Sequence, residues 1–164
     1  MKRIVSLASV GAAAIAVLWL AGPAGASAGT GAAVSGTEYF QAVSTSTTSS
    51  SRPVIVYGVV TASGVDHEVG NVDTLVFPGG TFQVHHLGST STQELNPRTC
   101  LVMVTERGRY TLSGGTGKYA GISGHGTAQI SILGIAARSK GGCSLTMPPL
   151  AFQQILTASG PAEL

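Results

Sequence analysis

Charged residues are scarce in this 164-residue chain, where they make up 10% of the sequence. Lys2 and Arg3 belong to a predicted leader, so the remainder has seven basic residues against seven acidic ones and a net charge near zero. Arg107 and Arg109 are the closest basic pair, and Glu106 lies beside them. Nucleic-acid binding needs a concentrated basic face, so no nucleic-acid partner is expected. Attraction to an anionic lipid surface is disfavoured for the same reason.

Several motifs of common protein classes are also missing. The sequence has no G-x-S-x-G elbow and no GK[ST] phosphate-binding motif, and no internal repeat of the kind found in propellers and solenoids. Four Tyr and four Phe are too few for the aromatic girdles of a membrane barrel. No pair of histidines has the spacing of metal ligands on one strand or helix face, so neither a metal nor another cofactor is expected.

The N-terminal segment has the organisation of a cleaved secretory signal. A short basic start precedes an apolar run over residues 4–20, Pro23 breaks that run, and Ala26-Ser27-Ala28 supplies the small-x-small cleavage pattern. The sequence therefore predicts a signal peptide over residues 1–28, cleavage after Ala28 and a secreted protein. No stable membrane insertion is expected after cleavage.

Two cysteines, Cys100 and Cys143, lie in the predicted mature chain. In an exported protein an even number of cysteines indicates a disulfide. A metal pair or a catalytic thiol is the alternative, but neither cysteine has suitable neighbours in the sequence. The pair is therefore predicted to be a structural bridge.

The predicted mature chain consists of a flexible segment over residues 29–36 and one domain over residues 37–164. Its abundance of Gly, Thr, Ser and Val favours strands and turns over helices. The clearest alternation runs from Thr127 to Arg138, a strand is predicted over residues 54–62, and residues 72–87 have the pattern of a β-hairpin. Loops or turns are predicted at residues 44–51, 66–68, 88–98 and 107–108.

About eight such strands without a convincing helix predict an all-β domain, either a closed antiparallel β-barrel or a sandwich. The barrel is favoured because closure removes every exposed sheet edge. The interior of a barrel of about eight strands is either filled by side chains or able to hold one small ligand. A small hydrophobic molecule is accordingly the expected partner, and the sequence leaves homo-oligomerisation open.

The glycine-rich stretch YTLSGGTGKYAGISG, residues 110–124, resembles a signature of the allene oxide cyclase barrel-like and dirigent-like proteins. It is most similar to that of uncharacterised secreted members from actinobacteria, and residues 73–77 (DTLVF) stand where that family has a D-T-x-x-F pattern. The matching motif positions are Gly114, Gly115, Thr116, Gly117, Tyr119, Gly121 and Gly124. The resemblance implies the barrel fold, with the motif forming a short helical turn between two strands. It implies no single activity, and no catalytic residue of the family is carried over.

Candidate catalytic residues are His86, Asp73 and Glu106. His86 shares a strand face with Phe82 and Val84, so a barrel lined by that face places His86 inside, where it suits general acid–base catalysis. Asp73 and Glu106 also share faces with apolar residues, and a carboxylate inside a barrel has a raised pKa. The alternatives are a hydrogen-bonded core or surface histidine, and carboxylates that lie in solvent or pair with a neighbouring arginine.

Tyr57, Phe82 and His86 are the candidate ligand-binding residues. The sequence favours a secreted barrel that binds a small apolar molecule or serves as an extracellular scaffold. The alternative is a secreted cyclase or isomerase that acts on a small hydrophobic substrate inside the barrel, largely by orienting it. An open cavity with titratable side chains favours the enzyme, an apolar cavity favours a carrier, and a filled interior favours the scaffold.

Overall fold

The computed structural model describes residues 33–164, so the predicted signal peptide and residues 29–32 lie outside the described residues. In the described range the closed antiparallel barrel of eight strands predicted from the sequence is confirmed. The strands are β1 Ser35–Ser44, β2 Ser51–Tyr57, β3 Ala62–Val69, β4 Val72–Phe77, β5 Gly80–Asn96, β6 Leu101–Ser113, β7 Ser123–Ile135, β8 Ala137–Ser139, β9 Gly142–Ser144 and β10 Ala151–Glu163. No helix in this range has the length and apolarity required to cross a bilayer.

The barrel strands follow the hydrogen-bonded order β1-β10-β7-β6-β5-β4-β3-β2, while β8 and β9 form a separate two-stranded sheet. Strand β1 shows the alternation that builds the wall, with Phe40 and Ala42 buried and Gln41 exposed between them. It begins at Ser35, which pairs with Glu163, so the barrel starts two residues earlier than predicted. The additional pairs form because β10 is long enough to provide partners for them.

One end of the barrel is filled by an aromatic plug made of Phe77, Phe82 and Tyr119. Their ring centroids lie 5.4 to 5.7 Å apart, and Tyr119 meets both phenylalanines edge-on. Phe82 is completely buried. Such edge-to-face contacts add to the free energy gained from burying the rings.

The glycine-rich stretch carries Tyr119 into the plug. It connects β6 to β7 through a 3-10 turn, Gly117–Tyr119. The Lys118 amide donates a hydrogen bond to the Gly79 carbonyl at 2.9 Å, which places the turn against the connection between β4 and β5. Gly117 has φ 57° and any Cβ there would lie 2.1 Å from the Gly79 oxygen, so a larger residue would prevent this contact.

Two stretches predicted as a loop and a turn are parts of longer strands. Residues 88–96 continue β5, pairing with β6 beyond a bulge between His86 and Ser89. Residues 107–108 lie within β6, which is paired on both sides. Cross-strand hydrogen bonds hold these polar segments in strand form although much of their side-chain surface stays exposed. The Ser/Thr-rich stretch does form an exposed loop between β1 and β2, as predicted.

The third difference concerns the strand predicted over residues 54–62. β2 ends at Tyr57 and a separate strand, β3, runs through residues 66–68, which were predicted to be a turn. β3 points Asp66 inward while Val65 and Val69 are exposed. This is the reverse of the usual apolar-in pattern, which explains why the sequence does not reveal the strand.

The disulfide between Cys100 and Cys143 is confirmed. It joins the residue that precedes β6 to strand β9, so the small β8–β9 sheet is attached covalently to the barrel. The Ala136 amide donates a hydrogen bond to the Cys100 carbonyl at 2.9 Å and strengthens the same connection.

Candidate functional site

Beyond the aromatic plug, the barrel interior contains a cavity of about 330 Å³. Its volume falls within the range of small-molecule sites. Most of the wall is apolar, formed by side chains of β1, β2, β4, β5, β7 and β10: Phe40, Ala42, Val54, Leu75, Val84, Ile130 and Leu156. The remainder is polar and titratable: Asp66, Glu68, Asp73, His86, Glu106, Arg109 and Tyr110. The cavity therefore has an apolar part and a polar part.

The polar part is organised around the buried guanidinium of Arg52, on β2. Its Nε lies 2.7 Å from Asp66 Oδ2, Nη1 lies 2.8 Å from Glu68 Oε2, and Nη2 lies 3.5 Å from Asp73 Oδ2. The Arg52 side chain is only 7% exposed. Together with His86, these residues form what we call the polar cluster: Arg52, Asp66, Glu68, Asp73 and His86. A buried charge of this kind is stable only when partners compensate for its lost hydration.

His86 extends the polar cluster towards the cavity. Its Nε2 lies 2.9 Å from Asp73 Oδ2, and its side chain is 36% exposed. The hydrogen bond to Asp73 raises the pKa of His86 above its usual value, although burial works in the opposite direction. His86 is consequently protonated to a higher pH than a free histidine, and it lines the cavity.

Asp66 is the most strongly perturbed carboxyl of the cluster. Burial raises the pKa of Asp66 to about 6, repulsion from Asp73 adds to the increase, and the attraction of Arg52 opposes it. Two neighbouring carboxylates thus share the positive charge of one arginine. Asp66 therefore accepts a proton readily on mild acidification.

Several polar atoms of this region have no hydrogen-bond partner within residues 33–164. They are Oδ1 of Asp66, Oδ1 of Asp73, Nη2 of Arg52 and the hydroxyl of Tyr110. Burial also raises the pKa of Tyr110 to about 12, so its hydroxyl keeps its proton. Buried polar groups in proteins are nearly always paired, and these atoms have unused hydrogen-bonding capacity beside the cavity.

The structure places the sequence-predicted residues in three different environments. Asp73 and His86 come together in the polar cluster, and Glu106 lines the cavity half-buried. Phe82 belongs to the aromatic plug instead of the cavity wall. Tyr57 is exposed on the outside of the barrel, where it stacks on another tyrosine. Of the candidates, Asp73, His86 and Glu106 therefore face the cavity.

Sequence reasoning missed Arg52, Asp66 and Glu68. A signal was present, because three of the seven acidic residues in the chain fall between residues 66 and 73. The concentration is high for a charge-poor sequence, although the same residues also suit a polar turn. In the described part of the chain, no group of three or more His, Cys, Asp or Glu side chains has the geometry of a metal site.

No protein-family model, curated protein or solved structure matches this chain. The chemistry of the cavity is therefore the basis for assigning a function.

The raised pKa of Asp66 predicts a specific pH dependence of stability. The folded carboxyl, with a pKa of about 6, holds its proton more tightly than the unfolded one, with a pKa of about 3.9. Between those two values the folded state binds more protons, so this carboxyl makes the free energy of unfolding fall as pH rises. The raised pKa of His86 acts in the same direction at higher pH, because its stabilising contribution is lost as pH rises through the folded value.

Urea unfolding at a series of pH values tests this with Asp66→Asn, which has no titratable carboxyl. We expect the difference in the free energy of unfolding, wild type minus variant, to decrease from about pH 4 to about pH 6, because the carboxyl of Asp66 loses its proton over that range. Glu94→Gln, at an exposed position of β5, is the control and should leave the profile unchanged. A difference that rises with pH would contradict the assignment.

Proposed function

We propose that this protein, once exported, binds a small molecule inside its barrel. The apolar body of the ligand lies against Val54, Leu75 and Val84, and a hydrogen-bond-donating end contacts Asp66 and Asp73. The observation that carries the proposal is the pair of buried carboxylate oxygens without a hydrogen-bond partner beside the apolar part of the cavity. A donor on the ligand would satisfy acceptors whose burial is otherwise unfavourable by about 1–3 kcal/mol each.

The charge of the cavity indicates what kind of donor is preferred. The cavity is lined by four carboxylates, those of Asp66, Glu68, Asp73 and Glu106. Within the described chain, Arg109 is the single arginine or lysine that lines it. Arg52 compensates part of this charge from the adjoining wall. An ammonium or a neutral donor therefore suits the site better than a carboxylate, which would add an uncompensated negative charge.

The position of the cavity also supports ligand binding. One end of the barrel is closed by the aromatic plug, while the cavity lining reaches the β3–β4 turn at Gly70 and Asn71 and the bulge at Gly88. The mouth consequently lies at the end opposite the plug. A ligand entering there meets the polar cluster, while the apolar wall removes its hydrophobic part from water.

Native mass spectrometry of the exported protein should reveal a bound small molecule that dissociates on denaturation. Val84→Phe places a ring in the cavity and should abolish capture, because Val84 lines the cavity wall. Val76→Phe is the matched control, since Val76 is exposed on the outside of the adjacent strand. Equal capture by both variants would contradict binding inside the barrel.

A second candidate function is a cyclase or isomerase that uses His86 as general acid or base. The observation favouring it is the 2.9 Å contact between His86 Nε2 and Asp73 Oδ2 at the cavity wall. A histidine oriented by a carboxylate moves a proton efficiently when its pKa lies near the working pH. An isomerisation can proceed by moving a proton between two atoms of the substrate. A cyclisation can form its ring bond as one proton is added and another removed, so neither reaction needs an oxidant or reductant.

Incubating the captured molecule with fresh protein distinguishes the two functions. Conversion to an isomer, detected by chromatography and NMR, supports the enzyme if His86→Gln abolishes conversion and retains binding. Recovery of the unchanged molecule from the wild type supports binding alone.

A further inference from the structure

A groove of about 890 Å³ crosses the outside of the barrel. Its walls include outward-facing side chains that lie in cross-strand register, as shown by the pairs Tyr39–Ser159, Gln41–Thr157, Thr157–Gln129 and Gln129–Arg107. Three residues of the core side, Phe40, Ala128 and Ala158, also line it. The lining extends from Tyr57 on β2 to Ser89 on β5, across six neighbouring strands. At the usual strand spacing this is an arc of about 24 Å around the barrel wall. The groove is thus long enough for a chain of several linked units.

A stacked pair of tyrosines forms one end of the groove. The rings of Tyr39 and Tyr57 are almost parallel, with an interplanar angle of 8° and centroids 4.9 Å apart. They are 40% and 49% exposed. On its other side Tyr39 neighbours Ser159, which is too short to cover an aromatic ring. The second face of Tyr39 is therefore available to a flat apolar surface in the groove.

The remaining walls carry hydrogen-bonding groups and positive charge. Amide and hydroxyl side chains of Gln41, Gln129 and Thr157 line the middle, and Arg107 and Arg109 line the far part. Arg107 Nε donates a hydrogen bond to Gln129 Oε1 at 3.1 Å, which positions the guanidinium. No carboxylate of the described residues is among the lining side chains, and neither arginine forms a salt bridge in the described chain.

These features argue against other elongated partners. A peptide cannot extend the sheet, because the closed barrel offers no free strand edge for pairing. Two arginines are too few to hold a nucleic-acid backbone, and the mostly polar walls do not suit a lipid surface. An aromatic face, amides, hydroxyls and an arginine pair match instead the apolar faces, hydroxyls and carboxylates of acidic sugars.

We propose that this outer groove binds an acidic oligosaccharide. One sugar ring stacks on the free face of Tyr39, neighbouring hydroxyls exchange hydrogen bonds with Gln41 and Gln129, and a sugar carboxylate pairs with Arg107 or Arg109. Arg109 and six other residues line both the groove and the interior cavity, whereas Tyr39, Gln41, Gln129 and Arg107 line the groove alone. The groove gives the protein a second binding function, attachment to an acidic glycan.

The test is an NMR titration of the ¹⁵N-labelled protein with a short oligogalacturonate and, separately, with a neutral cello-oligosaccharide of equal length. The acidic oligomer should shift the amide signals of groove residues and bind more tightly than the neutral one. Arg107→Gln should weaken binding of the acidic oligomer by about tenfold, the usual effect of losing a charge-assisted hydrogen bond. Tyr39→Ala should weaken binding of both oligomers.

Matched controls are Arg98→Gln, an exposed arginine outside the groove, and Val76→Ala, an exposed apolar residue outside it. Both should bind like the wild type. Absence of binding by either oligomer would overturn the proposal, and so would equally tight binding of an oligoglutamate peptide, because recognition would then rest on charge alone. Binding that Arg98→Gln weakens as much as Arg107→Gln would also overturn it.

Discussion

Arg52→Met should destabilise the folded protein by about 3–5 kcal/mol near neutral pH, the usual cost of removing one partner from a buried ion pair. The substitution retains much of the side-chain volume but leaves Asp66 and Asp73 buried without their shared cation. The loss should shrink on acidification, because Asp66, whose burial raises its pKa to about 6, then takes up a proton and no longer needs compensation. Urea unfolding at about pH 7.5 and about pH 4.5 measures both effects.

Arg107→Met, at an exposed site, is the control and should change stability by less than about 0.5 kcal/mol. An equal loss for Arg52→Met at both pH values would contradict the electrostatic explanation. It would show that the packing of the arginine side chain, and not its charge, stabilises this end of the barrel.

Phe82→Ala is the second substitution with a large expected effect. Phe82 is completely buried and contacts Phe77 and Tyr119 in the aromatic plug. Removing such a ring costs about 3–5 kcal/mol, since the strands around it cannot collapse fully into the space. Urea unfolding should therefore show a large decrease in the transition midpoint with an unchanged slope.

Val76→Ala is the control for this experiment. Val76 precedes Phe77, a residue of the aromatic plug, on strand β4, but its side chain points outward. Its substitution should cost less than about 1 kcal/mol. A loss of stability for Phe82→Ala no greater than that of Val76→Ala would show that the plug does not close the barrel end.

The fold could be predicted because most strands follow ordinary physical rules. Strand β7 keeps the alternation predicted from residue 127 as far as Ile135, although residues 137 and 138 of the predicted strand belong to β8 instead. The pair β4–β5 keeps its short turn at Pro78-Gly79. The even number of cysteines in a chain predicted to be exported also favoured one interpretation, a structural disulfide. In these segments local pattern, turn chemistry and the final barrel agree with one another.

The candidate site could be predicted only in part, because it buries charged residues on strands where apolar residues usually point inward. Strand β3 buries Asp66 and exposes Val65, so its sequence resembles a polar turn. Arg52 stands beside Pro53 and a serine-rich loop, where an exposed arginine is the ordinary expectation. Burial of both becomes favourable only when β2, β3 and β4 bring opposite charges within 4 Å, and that proximity is tertiary information. Asp73 and His86 were predictable because their strands keep the usual apolar-in pattern.

The outer groove was not predicted at all. Tyr57 was expected among the ligand-binding residues of the interior because apolar residues occupy both faces of its strand. Register with β1 instead places it outside beside Tyr39. Cross-strand register across five pairs of strands is not encoded in any local pattern, so the sequence gives no direct signal of this surface.

Binding of hexylamine, hexanol and hexanoate, compared by calorimetry at about pH 7.5, tests the central claim most directly. All three share one apolar chain and differ in the polar end offered to Asp66 and Asp73. The amine should bind most tightly, the alcohol less tightly and the carboxylate least, and Val84→Phe should abolish binding of the amine. Tighter binding of hexanoate than of hexylamine, or amine binding that Val84→Phe leaves intact, would contradict an acidic ligand site inside the barrel.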